Sequence, residues 1–383
     1  MTQAESKSKD CKVRVGFCLH AMQVAGAEVL VTQIIDRLKN QIEPTVFCLD
    51  SIGRLGEELL SQGVPVVLLD RRPGLDAKVP RKLALELSSR AIQIVHAHQY
   101  TPFFYSALAR LQGARSTKIL MTEHGRHYPD VVSAKRRWIN RLFLSRLASH
   151  STACCGFSAK ALEKNDGFSN VEVLYNGIDA TTHPERKSSG QRAELRAKLG
   201  MAPHRIYITC IARFHPVKDH CTLIRAFALL EKQIPDSKLL LVGSGSQEDS
   251  LKALIGQLGI DHAVEFWGVR RDISDILQAS DVFSLTSLSE AASLTLLEAM
   301  ANGCPVAITD VGGNGEHITH GVHGLLSPRG DAPALAANFK QIVEDYPLAE
   351  RMAQAARERV SSEFRLSAAV ERYAELYRSL TTR

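Results

Sequence analysis

The chain has 383 residues, 45% hydrophobic and 23% charged, with 25 Gly, 14 Pro and 8 Cys. That mixture excludes a disordered chain, a collagen-like repeat and a disulfide scaffold, since it holds enough apolar surface to build cores without staples. At about 150 residues per domain the length favours two domains. The net charge of +6 comes from the first half, where residues 1–180 hold 24 Lys and Arg against 17 Asp and Glu; such an excess suits an anionic partner, whether a phosphate, an acidic lipid or a nucleic acid.

The first ten residues are polar and charged, without the apolar core of a signal peptide. No apolar run approaches the ~18 residues that span a bilayer. A cytoplasmic protein, at most resting on the inner face of the membrane, is expected. No Cys-x-x-Cys pair occurs, so zinc and thioredoxin-like chemistry have no support and buried reduced thiols are expected.

Short β-branched runs then alternate with helical stretches. Strands are expected at Val13–Leu19, Pro44–Leu49, Val64–Leu69, Ile92–His96, Lys118–Thr122, Ser151–Cys155 and Val171–Leu174, with helices such as Ala27–Lys39 and Pro80–Arg90 between them. Near-continuous apolar strands separated by helices predict a parallel sheet covered on both faces, an α/β doubly wound fold. Residues 12–180 form the first such domain and 181–204 the linker. The alternation restarts with strands at Ile206–Ile211, Lys238–Val242, Val264–Phe266, Val282–Leu285 and Val306–Thr309. Residues 205–365 form the second domain, the chain reads as helix after Asp331, and a C-terminal helix over 366–383 has the option of packing back on the first domain. Two such domains leave a cleft lined by the carboxyl ends of strands, where ligands of these folds bind.

In the first domain, Gly26 opens a helix after the first strand, where its small size suits either close backbone approach or simple helix packing. His96 and His98 share one face of a strand, and His124 ends the next in Thr122-Glu123-His124-Gly125-Arg126-His127. Such histidines are more often structural than catalytic, and no third metal ligand is identifiable. The stretch Lys135–Arg146 mixes cations with apolar residues; it suits an anionic membrane, or an ordinary packed helix with a solvated basic face.

In the second domain, Arg213 and Lys218 stand five residues apart after a strand. A forked guanidinium and a point-charge ammonium there suit a diphosphate, or are two solvated surface cations. Glu290 lies in a small-residue loop, and Ser293, Leu294 and Thr295 open the helix that carries Glu298. Backbone N–H groups at a helix start favour an anion, and two carboxylates facing one pocket accept bonds from sugar hydroxyls; a plain capped helix is the alternative. Gly243-Ser244-Gly245 lacks the third Gly of a dinucleotide fingerprint, and no Asp-x-Asp triplet or Walker loop occurs.

Taken together, these segments resemble glycosyltransferase family 4, a retaining family also described as glycosyl transferases group 1, over nearly the whole chain. The resemblance rests on Glu290-x7-Glu298, the Ala-Met-Ala-x-Gly-x-Pro-Val of Ala299–Val306, the Arg213-x4-Lys218 pair, Asn176-Gly177-Ile178-Asp179 and Thr122-x-His124, with Gly312–Glu316 a looser match. It implies the GT-B fold, two Rossmann-like domains facing a central cleft. It also implies a metal-independent, hexosyltransferase-type enzyme with a nucleotide-sugar donor, no cofactor, and a saccharide or lipid-linked acceptor, in surface polysaccharide or glycolipid assembly. By resemblance Arg213 and Lys218 bind the diphosphate, Glu298 the ribose and Glu290 the donor sugar. Ser293, Leu294 and Thr295 offer N–H groups to the phosphates. His124 sits by the donor sugar, Gly26 faces the phosphate and acceptor, and the base lies near Gly268, Val269 and Arg270. Ala25, Ala291 and Asp219 stand where the family often has Gly. A nucleotide-sugar epimerase of the same fold and a non-catalytic partner of a transferase are the other readings. Nucleic acid is not expected as a ligand.

Overall fold

The computed structural model describes residues 12–125 and 133–382; Arg126 and His127 lie outside them. The first sheet contains β1 (Val13–Ala21), β2 (Ile42–Ser51), β3 (Val66–Leu68), β4 (Ile94–His98), β5 (Lys118–Glu123), β6 (His150–Ala153) and β7 (Glu172–Val173), in the order β3-β2-β1-β4-β5-β6-β7. The second contains β8 (Ile206–Ile211), β9 (Ser237–Val242), β10 (Val264–Gly268), β11 (Val282–Leu285), β12 (Val306–Thr309) and β13 (Leu325–Ser327), in the order β10-β9-β8-β11-β12-β13. All neighbours pair in parallel. The cause is visible in β4, where every residue of Ile94–His98 is buried, so both faces need covering and helical crossovers supply the cover. In each sheet the strand order reverses beside the first strand, which opens a crevice between β1 and β4 and another between β8 and β11.

One face of the first sheet is covered by the helix Gly26–Leu38 and by the last helix, Leu366–Thr381, whose Val370, Tyr373 and Tyr377 pack with Val15, Phe17 and Ile94. The other face is covered by Lys78–Ser89 and Tyr100–Leu111. The chain therefore crosses between the sheets twice, and the two crossings touch. Ile178 N–H donates to Phe364 O at 2.9 Å and Leu366 N–H to Ile178 O at 3.1 Å. A Cβ on Gly177 would lie 2.4 Å from the carbonyl carbon of Arg365, so a bare backbone is needed there. The Asn-Gly-Ile-Asp motif thus serves the crossover, with Asp179 held by Arg37 of the first domain.

Residues 181–204 hold a helix, Ser189–Leu199, that packs on the second domain. Its Arg192 and Arg196 grip Asp281 at 2.7 and 2.6 Å. The three residues of β13 are too few to show a period in the sequence, and the strand has no counterpart among the expected ones. The basic stretch Lys135–Arg146 is not one regular helix: α-helix runs over Ala134–Ile139, a π turn over Asn140–Leu144 and a 3-10 turn over Ser145–Leu147. No helix among the described residues is long and apolar enough to cross a membrane. The seven described cysteines are free thiols, and all but Cys221 are buried.

Candidate active site between the two sheets

The loops after β8 and β11, which flank the second crevice, carry most of the expected residues. Arg213 is exposed after β8, and Lys218 ends the 3-10 turn Pro216–Lys218. Asp219 follows at φ +44°, the left-handed region, which explains why a Gly is tolerated and why Asp serves. Its carboxylate accepts from Thr222 Oγ1 at 2.6 Å and caps the next helix. Lys218 Nζ donates to Glu290 Oε2 at 2.5 Å, and Ser287 Oγ donates to the same oxygen at 2.9 Å. The pair is mostly shielded, with side chains 18% and 13% exposed. Glu290 is therefore tied to the cation five residues beyond Arg213 rather than standing free beside Glu298.

Glycines bring these loops together. A Cβ on Gly243 would lie 2.1 Å from Ala212 O and one on Gly245 2.4 Å from Phe214 O, so the Gly-Ser-Gly loop lies directly on the Arg213 loop. A Cβ on Gly312 would lie 1.9 Å from Glu290 O and one on Gly313 1.8 Å from Ala291 O. Gly313 N–H donates to Glu290 O at 2.9 Å. Both Gly-rich loops thus act by close backbone approach.

Ser293 caps the helix Leu294–Ala301, its Oγ accepting from Leu296 N–H at 3.3 Å. The N–H groups of Leu294 and Thr295, in the first turn, have no intrahelical acceptor and remain for an anion. Capping and anion binding are thus two uses of one helix start. One turn on, Glu298 is half-buried and its carboxyl is pushed up to about 7 by burial. Gly268, at φ +61°, ends β10 and is followed by the exposed Val269 and by Arg270. Arg270 pairs with Asp272 at 2.5 Å and lies 5.4 Å over Trp267.

The first domain faces this cluster. Gly26 starts its helix with Leu294 Cδ1 3.7 Å from where a Cβ would be, ordinary contact that leaves its glycine unexplained sterically. Ala25 is extended at φ −147° and needs no glycine. Gly125, at φ +99°, meets Ala291, whose methyl lies 2.4 Å from a Cβ built there. The methyl that Ala291 adds is thus accommodated by a glycine across the cleft. The preceding residue, His124, shares a 2.7 Å hydrogen bond between its Nε2 and His98 Nδ1, while its Nδ1 is buried without a partner among the described residues. Burial lowers the His124 pKa to about 4, so the ring is neutral. His96 bonds Tyr377 and Thr122 inside the core. Among the described residues no three His, Cys, Asp or Glu side chains are arranged so as to hold a metal ion.

Three further residues are given no role by the sequence, although Glu316 ends the looser Gly312–Glu316 match and Glu28 follows Gly26. Glu28, two residues after Gly26, is raised by burial and drawn back by a backbone N–H and by the charges of Arg213 and His20. Glu316 of the second domain accepts from the N–H groups of Gly156 and Phe157 at 2.7 and 2.6 Å and from Tyr175 OH at 3.1 Å. It caps a helix of the other domain and clasps the cleft shut. Gln99, at φ +75°, starts the helix after β4. The place of Glu28 in the Gly26 loop is the signal available for it; the Glu316 contact has no local signature.

Known proteins are similar to this chain in sequence and fold. Residues 24–182 match the model for Glycosyltransferase Family 4 and residues 191–359 that for Glycosyl transferases group 1. The chain is 30% identical over 312 residues to N-acetyl-alpha-D-glucosaminyl L-malate synthase of Bacillus anthracis, covering 80% of this chain and 79% of that one. The chain belongs to glycosyltransferase family 4. The transferase is also similar to the lipopolysaccharide core biosynthesis glycosyltransferase LpsE of Rhizobium meliloti (strain 1021), at 33% identity over 48% of this chain and 53% of that one. Anabaena Alr3699/HepE, solved in complex with UDP-glucose, superposes on the transferase with a TM-score of 0.83 at 25% identity, over 96% of this chain and 99% of that one. The GT-B fold and glycosyltransferase activity expected from the motifs therefore hold.

Proposed function

We propose that this glycosyltransferase binds a nucleoside diphosphate sugar and passes the sugar to an acceptor hydroxyl with retention of configuration. The supporting observation is the cluster at the second crevice: the loop after β8 carries Arg213 and Lys218, the loop after β11 carries Glu290 and the free N–H groups of Leu294 and Thr295, and the Lys218–Glu290 pair joins the two. As the bond from the anomeric carbon to the phosphate oxygen breaks, negative charge grows on the diphosphate, where preorganised cations and N–H groups stabilise it. The acceptor oxygen bonds the anomeric carbon from the same face, and its proton passes to the departing phosphate oxygen. Glu298 accepts from the ribose hydroxyls, Gly268–Arg270 border the base, and Glu290 and His124 contact the sugar. With Arg213 and Lys218 carrying the phosphate charge, neither a metal nor a cofactor is required.

The test is release of nucleoside diphosphate from UDP-, GDP- and ADP-sugars with EDTA present, for the wild type and Glu298→Ala. Release from one donor, lost in the variant, is expected. Interconversion of the donor sugar without release would identify an epimerase, and no turnover of any donor a binding protein. The anomeric configuration of the product, read by proton NMR, checks retention.

A specific observation supports an acceptor presented at an anionic membrane on the cytoplasmic side. Trp138 and Phe143 are each 65% exposed on the basic stretch, so the stretch is not simply a packed helix. It walls a cavity of about 480 Å³ lined by Leu75, Tyr100, Phe104, Ile139 and Leu144, with Arg71 and Lys135 at its edge. Exposed aromatics beside cations suit a lipid surface and a glycolipid or polysaccharide precursor. Salt-sensitive co-sedimentation with acidic vesicles, lost in Trp138→Ser/Phe143→Ser, is expected; equal binding to neutral vesicles overturns it.

A further inference from the structure

The histidines of β4 and β5 form a buried array that the transfer reaction does not use in full. His98 Nδ1 and His124 Nε2 are 2.7 Å apart, with the two rings nearly parallel at 10°. His98 is wedged between His96, 4.1 Å away by ring centroids, and Phe17. Burial, the largest cause at each, holds all three imidazoles below their ordinary pKa, and the neighbouring rings add to it at His96 and His98. Two ring nitrogens of the array lack a partner among the described residues: His98 Nε2 and His124 Nδ1.

Two neutral imidazoles joined by one hydrogen bond share a single proton between the bonded nitrogens, so the tautomer of one dictates the other. If His124 donates from Nε2, then His98 must carry its own proton on Nε2, an N–H buried against His96 and Phe17 with nothing to receive it. If His98 donates from Nδ1, its Nε2 is a bare lone pair, and His124 carries its proton on Nδ1. Each arrangement leaves one buried N–H without a partner among the described residues. At His98, 1% exposed, both nitrogens of the neighbouring His96 are already engaged and no acceptor among the described residues is within reach of Nε2, whereas His124 is partly exposed just after the end of its strand, where a bound ligand can supply the acceptor. The second arrangement is therefore the favoured one. It leaves His124 with an N–H on the nitrogen that no residue of the described chain occupies.

We propose that His98 is a positioning residue that fixes His124 as a neutral hydrogen-bond donor through Nδ1 toward an oxygen of the bound sugar. The proposal rests on the reading of His124 as a sugar-side residue. His96 anchors the array from below: its Nδ1 meets Tyr377 OH at 2.8 Å and its Nε2 meets Thr122 Oγ1 at 2.7 Å. Tyr377 belongs to the helix that returns from the second domain, so the array is built only when that helix is docked.

The experiment is long-range proton–nitrogen NMR of the histidine-labelled full chain, which reports directly which ring nitrogen is protonated. In the wild type, His124 is expected as the Nδ1–H tautomer. In His98→Leu it shifts to the Nε2–H form or to a mixture, and in His98→Asn, whose amide nitrogen keeps a donor near the Nδ1 position, it stays Nδ1–H. A wild-type Nε2–H tautomer at His124, or an unchanged tautomer in His98→Leu, overturns the proposal, and the wild-type result needs no variant to fold. Kinetics supply the second readout. His98→Leu should lower kcat by about 10- to 100-fold with donor KM within about twofold, and His98→Asn should recover most of it. Loss in both variants alike marks a merely structural role and overturns the proposal. Full turnover by His124→Ala would instead sink the sugar-side reading while the tautomer assignment stood.

Discussion

The two crevices of this molecule have the same topology and opposite electrostatics. On β4, beside the first crevice, and just after β5 the chain places histidines that burial keeps neutral. Between β8 and β11 it places Arg213 and the Lys218–Glu290 ion pair. Strand order determines where a ligand sits, because the loops diverge only where the order reverses. The side chains determine what sits there. On the proposed function, the neutral wall would face the uncharged sugar and the charged one the diphosphate.

Four changes would break or sharpen that contrast. Removing charge from the second crevice has the largest expected effect: Arg213→Ala should lower kcat/KM by about 10²- to 10³-fold, the typical cost of one stabilising donor, measured by nucleoside diphosphate release. Near-normal rates would mean that the charged crevice is not where the phosphate sits.

Disturbing the backbone contact that shapes the charged loop comes next. A Cβ at Gly313 would stand 1.8 Å from Ala291 O, so Gly313→Ala should cost about 1–3 kcal/mol and lower Tm together with turnover. Gly190→Ala, where nothing lies within 4 Å of the added methyl, is the control and should leave Tm equal or higher. A Gly313→Ala protein with unchanged Tm would refute the close-approach reading.

Glu298 gives the contrast a pH dependence. Its folded pKa is raised by burial from 4.5 to about 7, so the folded state binds the proton more tightly than the unfolded chain. The stability this adds is present in full below about pH 4.5 and is lost as pH rises toward 7. Glu298→Gln should therefore gain on the wild type above pH 7, by up to about 3 kcal/mol, in ligand-free denaturation across pH 4–8. If Glu298 accepts from the ribose hydroxyls as proposed, the ionised carboxylate is the better acceptor, so donor KM should rise as pH falls below about 7, and that limb should flatten in the variant.

The smallest effect belongs to the clasp. Glu316→Ala leaves the N–H groups of Gly156 and Phe157 without their acceptor and should cost about 1 kcal/mol, as for a lost helix cap. Small-angle scattering should show a wider ligand-free cleft. An unchanged profile would mean that Ala291 against Gly125 and the crossover hold the domains without it.

Much of this site is legible in the amino-acid sequence. Arg213, Lys218, Glu290 and Glu298 stand at separations that place them on loops and a helix start after strands, and the strand alternation is clear because strands buried on both faces are almost wholly apolar. The departures from family habit are legible as residues but not as consequences. Ala291 is accommodated because Gly125 faces it, and Asp219 because it takes the left-handed turn and caps a helix. The His98–His124 bond is hidden, since the two belong to neighbouring strands and the sequence shows only that His96 and His98 share a face.

What the sequence by itself determined was therefore local: the elements, their order, the family, and which residues end a strand or open a helix. Those properties follow from backbone sterics, side-chain period and capping within a few residues of each position. Only the tertiary structure decided that Lys218 reaches Glu290 72 residues away, that Glu316 caps a helix of the other domain, and that the last helix returns to brace His96. Each of those contacts depends on strand order and domain approach, set by cooperative burial of whole faces rather than by any one segment's preference.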